Sequence, residues 1–173
     1  MSTNPQDPHR QQRLYWNQML QLKGALSYIC LYRNYLGRWV TGLGALRAIA
    51  SCGGIAAWAV WKDYAFIWGA IIALAQLMDA LKDVFPFARL QKACSEHAIT
   101  LSYLFVDAEL EWESVYAAKY ADDEIMSRIH KLKRVQLDAE RKSFPDGLVP
   151  DASFRLRAEQ ESREYFAHTY GVE

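Results

Sequence analysis

The amino-acid sequence predicts an all-α protein that contains a transmembrane helical hairpin. Strand signals, in the form of alternating β-branched residues bounded by turns, are essentially absent from its 173 residues. Two apolar segments, Ala48–Trp61 and Tyr64–Met78, are almost free of charge and are joined by a tight turn at Lys62-Asp63. We therefore expect three consecutive regions: an N-terminal amphipathic helix (1–38), a two-helix membrane hairpin (39–86) and a cytoplasmic helical region (87–173).

The N-terminal helix is predicted from His9 to about Leu36. Apolar and aromatic side chains recur there at steps of three or four residues, as on one face of a helix: Leu14, Tyr15, Met19, Leu22, Leu26, Ile29 and Leu36. Basic side chains lie between them, so the helix fits a membrane surface and fits a packing role inside a bundle equally well. The first ten residues lack a basic stretch followed by an apolar run, so no secretory signal peptide is expected.

The hairpin is predicted from its length, its aromatic residues and its charges. Arg47 lies fifteen residues before Lys62, and Asp79 lies sixteen residues after Asp63, so two antiparallel helices would hold these opposite charges at the same height. Tryptophans near the turn and at Trp39 are typical of the aromatic belts at membrane surfaces. A bilayer core of roughly 30 Å requires about 20 residues per helix, so each segment reaches that length only by including charged residues. A buried hairpin within a soluble bundle is the alternative.

Four polar residues inside the hairpin are candidate functional groups, because polar residues within a membrane span are rare and mark functional sites. They are Arg47, Ser51, Gln76 and Asp79. Basic residues flank both ends of the hairpin, whereas the turn carries one lysine and one aspartate. This distribution predicts that both termini lie in the cytoplasm and the turn on the far side of the membrane.

The segment after Pro86 predicts long helices with an apolar seam. Spacings of four and three residues link Leu101, Phe105, Ala108, Trp112 and Val115, and the pattern resumes at Ile125, Ile129 and Leu132. A break is expected at Ala121-Asp122-Asp123-Glu124, with Asp122 or Asp123 capping the next helix. Phe144–Pro150 is a predicted loop, and Asp151 or Ser153 caps a last helix. The long seam predicts pairing with other copies of the chain.

Composition excludes several classes of function. Net charge is zero, so a dedicated nucleic-acid binder is not expected. The acidic residues of 107–124 and the basic residues of 128–142 form either a solvated helix face or a subunit contact. Cys30, Cys52 and Cys94 form neither a disulfide framework nor a zinc site. No cofactor and no metal are predicted, and phosphate-loop and nucleophile-elbow motifs are absent.

One pair of residues has a catalytic spacing. Arg163 and His168 are separated by four residues near the C-terminus, and histidine with arginine can cleave a phosphodiester by acid–base and charge stabilisation. The pair resembles the motif of HEPN ribonucleases, which place two such helices together. His97 and His130 are interpreted as packing or surface histidines.

The layout as a whole resembles small two-helix membrane effectors of prokaryotic antiviral defence. It is similar to the SLATT family and to the accessory membrane pore protein of type VI-B CRISPR systems, which also carries a divergent HEPN-like motif. The resemblance implies an oligomeric pore that depolarises the inner membrane in abortive infection, triggered by a sensor protein or an RNA-guided effector. The alternatives are a HEPN-like ribonuclease and a non-catalytic helical scaffold. An enzyme is not the leading expectation.

Overall fold

The computed structural model describes residues 9–60, 65–80 and 87–171. These residues form five α-helices and contain no strand: α1 (Arg10–Val60), α2 (Ala65–Ala80), α3 (Phe87–Tyr116), α4 (Asp122–Ser143) and α5 (Ala152–Tyr170). The prediction of an all-α fold is therefore confirmed.

Helix α1 is one continuous helix of 51 residues. A separate N-terminal helix that ends near Leu36 was therefore a wrong prediction. The composition does change at that point, but no proline follows until Pro86, and Gly37, Gly42 and Gly44 each cost only about 1 kcal/mol relative to alanine in a helix interior. A change in which side chains a helix presents does not interrupt its backbone hydrogen bonds.

The chain forms two compact units, and α1 and α3 each contribute to both. Unit 1 comprises the described residues of 1–32 and 93–173, and unit 2 comprises the described residues of 33–92. Unit 1 therefore contains the first part of α1, most of α3, and all of α4 and α5. Unit 2 contains the rest of α1, all of α2 and the first turns of α3.

The core of unit 1 lies where α1 packs against the three C-terminal helices. Tyr15, Met19 and Leu22 of α1 are fully buried, as are Leu101 and Val115 of α3. Trp16 packs between other aromatic rings, with ring centroids 5.1 Å from Trp112, 4.9 Å from Phe166 and 5.1 Å from Tyr170. The amphipathic face of α1 is thus a packing face in unit 1.

The break between α3 and α4 falls where the sequence predicts it, but the capping residue differs. Residues 117–121 separate the helices, and Ala118 has a left-handed backbone with φ of 51°. The N-cap of α4 is Ala121, which offers no side-chain hydrogen bond, so the prediction of Asp122 or Asp123 as the cap was wrong. Asp122, Asp123 and Glu124 instead occupy the first turn, where negative charge interacts favourably with the helix dipole.

The apolar seam of α3 and α4 is filled within the chain. Seven of the eight predicted residues are buried, and Trp112 is half-buried; the seven are Leu101, Phe105, Ala108, Val115, Ile125, Ile129 and Leu132. This seam therefore packs within the chain, and pairing with other copies of the chain stays a prediction. Arg128 joins the two helices from outside, with Nη1 2.8 Å from Glu111 Oε1.

The predicted loop and the last helix are both present. Residues 144–151 lie outside helices, and Gly147 has a φ of 78°, which favours glycine. Asp151 caps α5, because its side chain accepts hydrogen bonds from the backbone N–H groups of Ser153 and Phe154. Gly171 ends the helix in a left-handed conformation.

Candidate functional site

The exposed surface of α2 is almost entirely apolar. At about 100° per residue, its side chains with described exposure cover about 220° of the helix circumference, and every one of them is exposed. Large apolar side chains dominate this arc: Phe66 (89% exposed), Ile67, Ile72, Leu74 and Leu77 (54%). Gln76 is the one polar side chain on the arc. A helix with this surface needs an apolar environment or a protein partner.

The part of α1 in unit 2 also exposes apolar and aromatic side chains. Trp39 and Ile49 are about half exposed. Gly42 and Gly44 leave open space where a Cβ atom would lie. At Trp39 the indole ring stacks on Phe87, with centroids 6.3 Å apart and an interplanar angle of 14°. This contact joins α1 to the start of α3 within unit 2.

The four polar residues predicted inside the hairpin all lie on α1 or α2. Arg47 is exposed on α1, and Gln76 is exposed on α2. Ser51 lies in α1 and Asp79 in α2, but their side chains are outside the described set, so the match of Asp79 with Arg47 stays a prediction. The predicted turn at Lys62-Asp63 also lies outside the described residues. Among the residues that the structure describes, no helix is both long enough and apolar enough to cross a membrane.

The HEPN-like pair is on α5 in unit 1. Arg163 and His168 are both exposed, and their separation of five positions places them about 140° apart around the helix. Arg163 lines a cleft of about 860 Å³ in unit 1, whereas His168 does not line it. One chain therefore does not bring these two side chains to a common point.

The cleft itself lies between α1 and α5, and the end of α4 also contributes. Its wall combines apolar residues with charges of both signs, Arg155 and Arg163 against Glu140, Asp151 and Glu159. Gly24 opens the wall of α1, because nothing lies within 4 Å of the position of a Cβ atom there. The sequence did not predict this cleft, whose residues come from four helices and a loop.

His97 lines the cleft as a buried residue. It is 4% exposed, its ring packs edge-on against Phe144 at 5.3 Å, and its Nδ1 atom has no hydrogen-bond partner. Burial lowers the pKa of His97, although nearby Glu140 and the backbone of Ala139 act in the opposite direction. The packing role expected for this histidine agrees with its burial, whereas His130 is exposed on α4.

No protein-family model, curated protein or solved structure matches this chain. The described residues contain no group of three or more side chains that could hold a metal ion.

A second polar cluster in unit 1 surrounds Glu109. Its Oε1 atom accepts hydrogen bonds from the hydroxyl groups of Tyr165 at 2.7 Å and Tyr170 at 3.3 Å. Burial, together with Glu109, raises the pKa of Tyr170 to about 12. Lys23 Nζ lies 3.6 Å from the centre of the Tyr165 ring, and burial lowers the pKa of Lys23. These contacts connect α1, α3 and α5, and we assign the cluster a structural role.

Proposed function

We propose that this protein is a membrane effector whose unit 2 inserts into the bacterial inner membrane with both termini in the cytoplasm. Several copies would assemble there into a pore that depolarises the membrane in antiphage defence. The apolar arc of α2 carries the proposal, because a surface of this kind marks a membrane or protein contact on a folded chain. The resemblance in layout to small two-helix defence effectors supports the same function.

Helix α2 alone is shorter than the thickness of a bilayer core. Its 16 residues account for about 24 Å, against roughly 30 Å for a bilayer core. The flanking residues would have to provide the remaining depth. Membranes also become thinner around short apolar helices at a modest cost in free energy.

The pore would form where several copies of unit 2 pack together. Gln76 is the one polar group on the exposed arc of α2, so it is the residue that we expect to face water in an assembled channel. Ser51 and Asp79 are further candidates, and Arg47 would lie at the cytoplasmic end. The protein would act as a gate, with a separate sensor protein or RNA-guided effector as its trigger.

Fractionation of expressing cells tests the first step. We expect the protein to stay in the membrane pellet after an alkaline carbonate wash, because an inserted hairpin is not held by surface charge. Release into the supernatant would contradict the membrane proposal and would favour a protein partner for α2.

A potential-sensitive dye tests the pore. Expression of the wild type should depolarise cells, and Gln76→Leu should reduce the depolarisation at equal membrane content because it removes the polar group from the channel wall. The matched control is Leu77→Ile, which keeps the neighbouring position apolar. Equal depolarisation by the wild type and Gln76→Leu would show that Gln76 does not line the pore. If an inserted wild type caused no depolarisation, the pore proposal itself would be rejected.

A further inference from the structure

A basic groove in unit 2 has a different chemistry from the cleft of unit 1. The groove has a volume of about 560 Å³ and lies between α1 and Gln91 of α3. Two guanidinium groups, an amide and a hydroxyl of α1 line it: Arg33, Arg38, Asn34 and Thr41. No described residue that lines the groove has a carboxylate, whereas three carboxylates and two arginines line the cleft of unit 1.

The spacing on α1 explains why four of the lining residues share one side of the helix, whereas Arg33, which also lines the groove, lies about 140° from Arg38 around the helix. Asn34, Gly37, Arg38 and Thr41 recur at steps of three and four, so they lie on one face of the helix. Gly37 allows the second wall to come close, because a Cβ atom there would lie 3.0 Å from Nε2 of Gln91. Arg33 also hydrogen-bonds to Asn34 Oδ1, at 3.5 Å.

We propose that this groove binds the phosphate of an anionic phospholipid headgroup. Arginine guanidinium groups bind phosphate through paired hydrogen bonds, and Asn34, Thr41 and Gln91 supply further polar contacts around them. Because none of the described residues that line the groove has a carboxylate to offset the two positive charges, a headgroup with net negative charge is preferred over a zwitterionic one.

The surroundings of the groove select a lipid over other phosphates. Exposed apolar and aromatic side chains follow it along α1, including Trp39 and Ile49. A phospholipid has a phosphate beside acyl chains, so it matches a basic groove next to an apolar surface. The inference rests on the proposed membrane function, since it places residues 33–42 at the headgroup level of the cytoplasmic leaflet.

Native mass spectrometry of the full chain in detergent tests the groove. We expect the wild type to retain phosphatidylglycerol in preference to phosphatidylcholine. The double variant Arg33→Gln/Arg38→Gln should weaken binding of phosphatidylglycerol roughly 30-fold, from the contribution of each basic residue near an anionic surface. The control is Arg134→Gln/Arg141→Gln, which makes the same charge change at exposed positions of α4 and should keep the preference.

Three outcomes would overturn the inference. The first is equal retention of the two lipids by the wild type, and the second is an equal loss of phosphatidylglycerol in both double variants. The third is binding of inorganic phosphate with competitive displacement of phosphatidylglycerol at equal concentration, which would assign the groove to free phosphate.

The carbonate and dye assays separate this inference from the proposed function. If the double variant stays inserted and depolarises cells but lipid preference is absent, the groove proposal fails and the pore proposal stands. If the wild type is released by carbonate while phosphatidylglycerol still binds through the two arginines, the pore proposal fails and the groove remains a lipid site.

Discussion

Units 1 and 2 use the same helix in opposite ways. In unit 1 one apolar face of α1 is buried, with Tyr15, Met19, Leu22 and Ile29, and Tyr15 donates a hydrogen bond to the carbonyl oxygen of Ala108 on α3. In unit 2 the later residues of α1 and most of α2 present apolar side chains outwards. Helix α1 therefore begins in a unit with a buried core and continues into a unit where apolar side chains such as Trp39 and Ile49 are exposed. The difference teaches that one helix can contribute a buried face to unit 1 and still continue into a unit where every described side chain of α2 is exposed.

The polar contacts follow the same division. Unit 1 connects its helices through side-chain hydrogen bonds, including Ser162 Oγ to the carbonyl oxygen of Leu20 and the hydroxyls that meet Glu109. In unit 2, the basic groove lines its walls with donors and no described carboxylate. Unit 1 therefore connects its helices through polar contacts between side chains, whereas the described lining of the groove in unit 2 places no carboxylate beside its two guanidinium groups.

The largest expected effect contrasts a core leucine with an exposed leucine. Leu101→Ala removes a side chain that is 0% exposed and should lower the free energy of unfolding of unit 1 by about 2–5 kcal/mol. Leu77→Ala, on the exposed arc of α2, should leave unit 1 unchanged and weaken retention in membranes. Hydrogen–deuterium exchange of peptides from α3 in the full-length protein measures the first effect, and carbonate extraction measures the second.

The reverse result would break the comparison. Leu101→Ala with unchanged exchange in α3 would mean that the core of unit 1 is not closely packed. Leu77→Ala with faster exchange in α3 would mean that unit 1 depends on α2.

Sequence periodicity could predict the packed faces because it depends on helix geometry alone. The seam from Leu101 to Val115 and the cap at Asp151 follow from spacing and from a local hydrogen bond. What fills the seam could not be predicted, because the filling residues are distant in sequence. The continuity of α1 was missed because side-chain composition changes from mixed to mainly apolar near Trp39. Such a change reflects what surrounds the helix, whereas the backbone hydrogen bonds that define the helix do not depend on composition.

The candidate site was predictable only in part for the same reason. Gln76 stands out from its apolar neighbours in the sequence itself. The basic groove requires Gln91 of α3 to lie beside Gly37 of α1, and no local pattern encodes that approach. The spacing of Arg163 and His168 is visible in the sequence, but one helix directs them to different sides.

A smaller effect is expected at the uncapped end of α4. Ala121 has the extended backbone of an N-cap residue, with φ of −69° and ψ of 156°, but it has no side chain that can cap. Ala121→Ser should add a hydrogen bond to a free backbone N–H group and stabilise unit 1 by about 1 kcal/mol. Exchange in peptides of α4 should slow, and retention of unit 2 in membranes should not change. Ala121→Val, which cannot cap, is the control and should give no gain.

The smallest effect concerns His97 and is absent at neutral pH. Because burial lowers its pKa in the folded state, the unfolded state binds more protons below about pH 6.5, so stability should fall as the pH decreases through that range. Glu140 faces the imidazole and opposes this shift, which keeps the effect small. His97→Gln should reduce the slope of stability against pH between 6.5 and 5, whereas His130→Gln, at an exposed position of α4, should keep it. If the slope of stability against pH were equal in the wild type and in His97→Gln, protonation of His97 would not destabilise the folded state. Water would then have to reach the Nδ1 atom of His97 through the cleft.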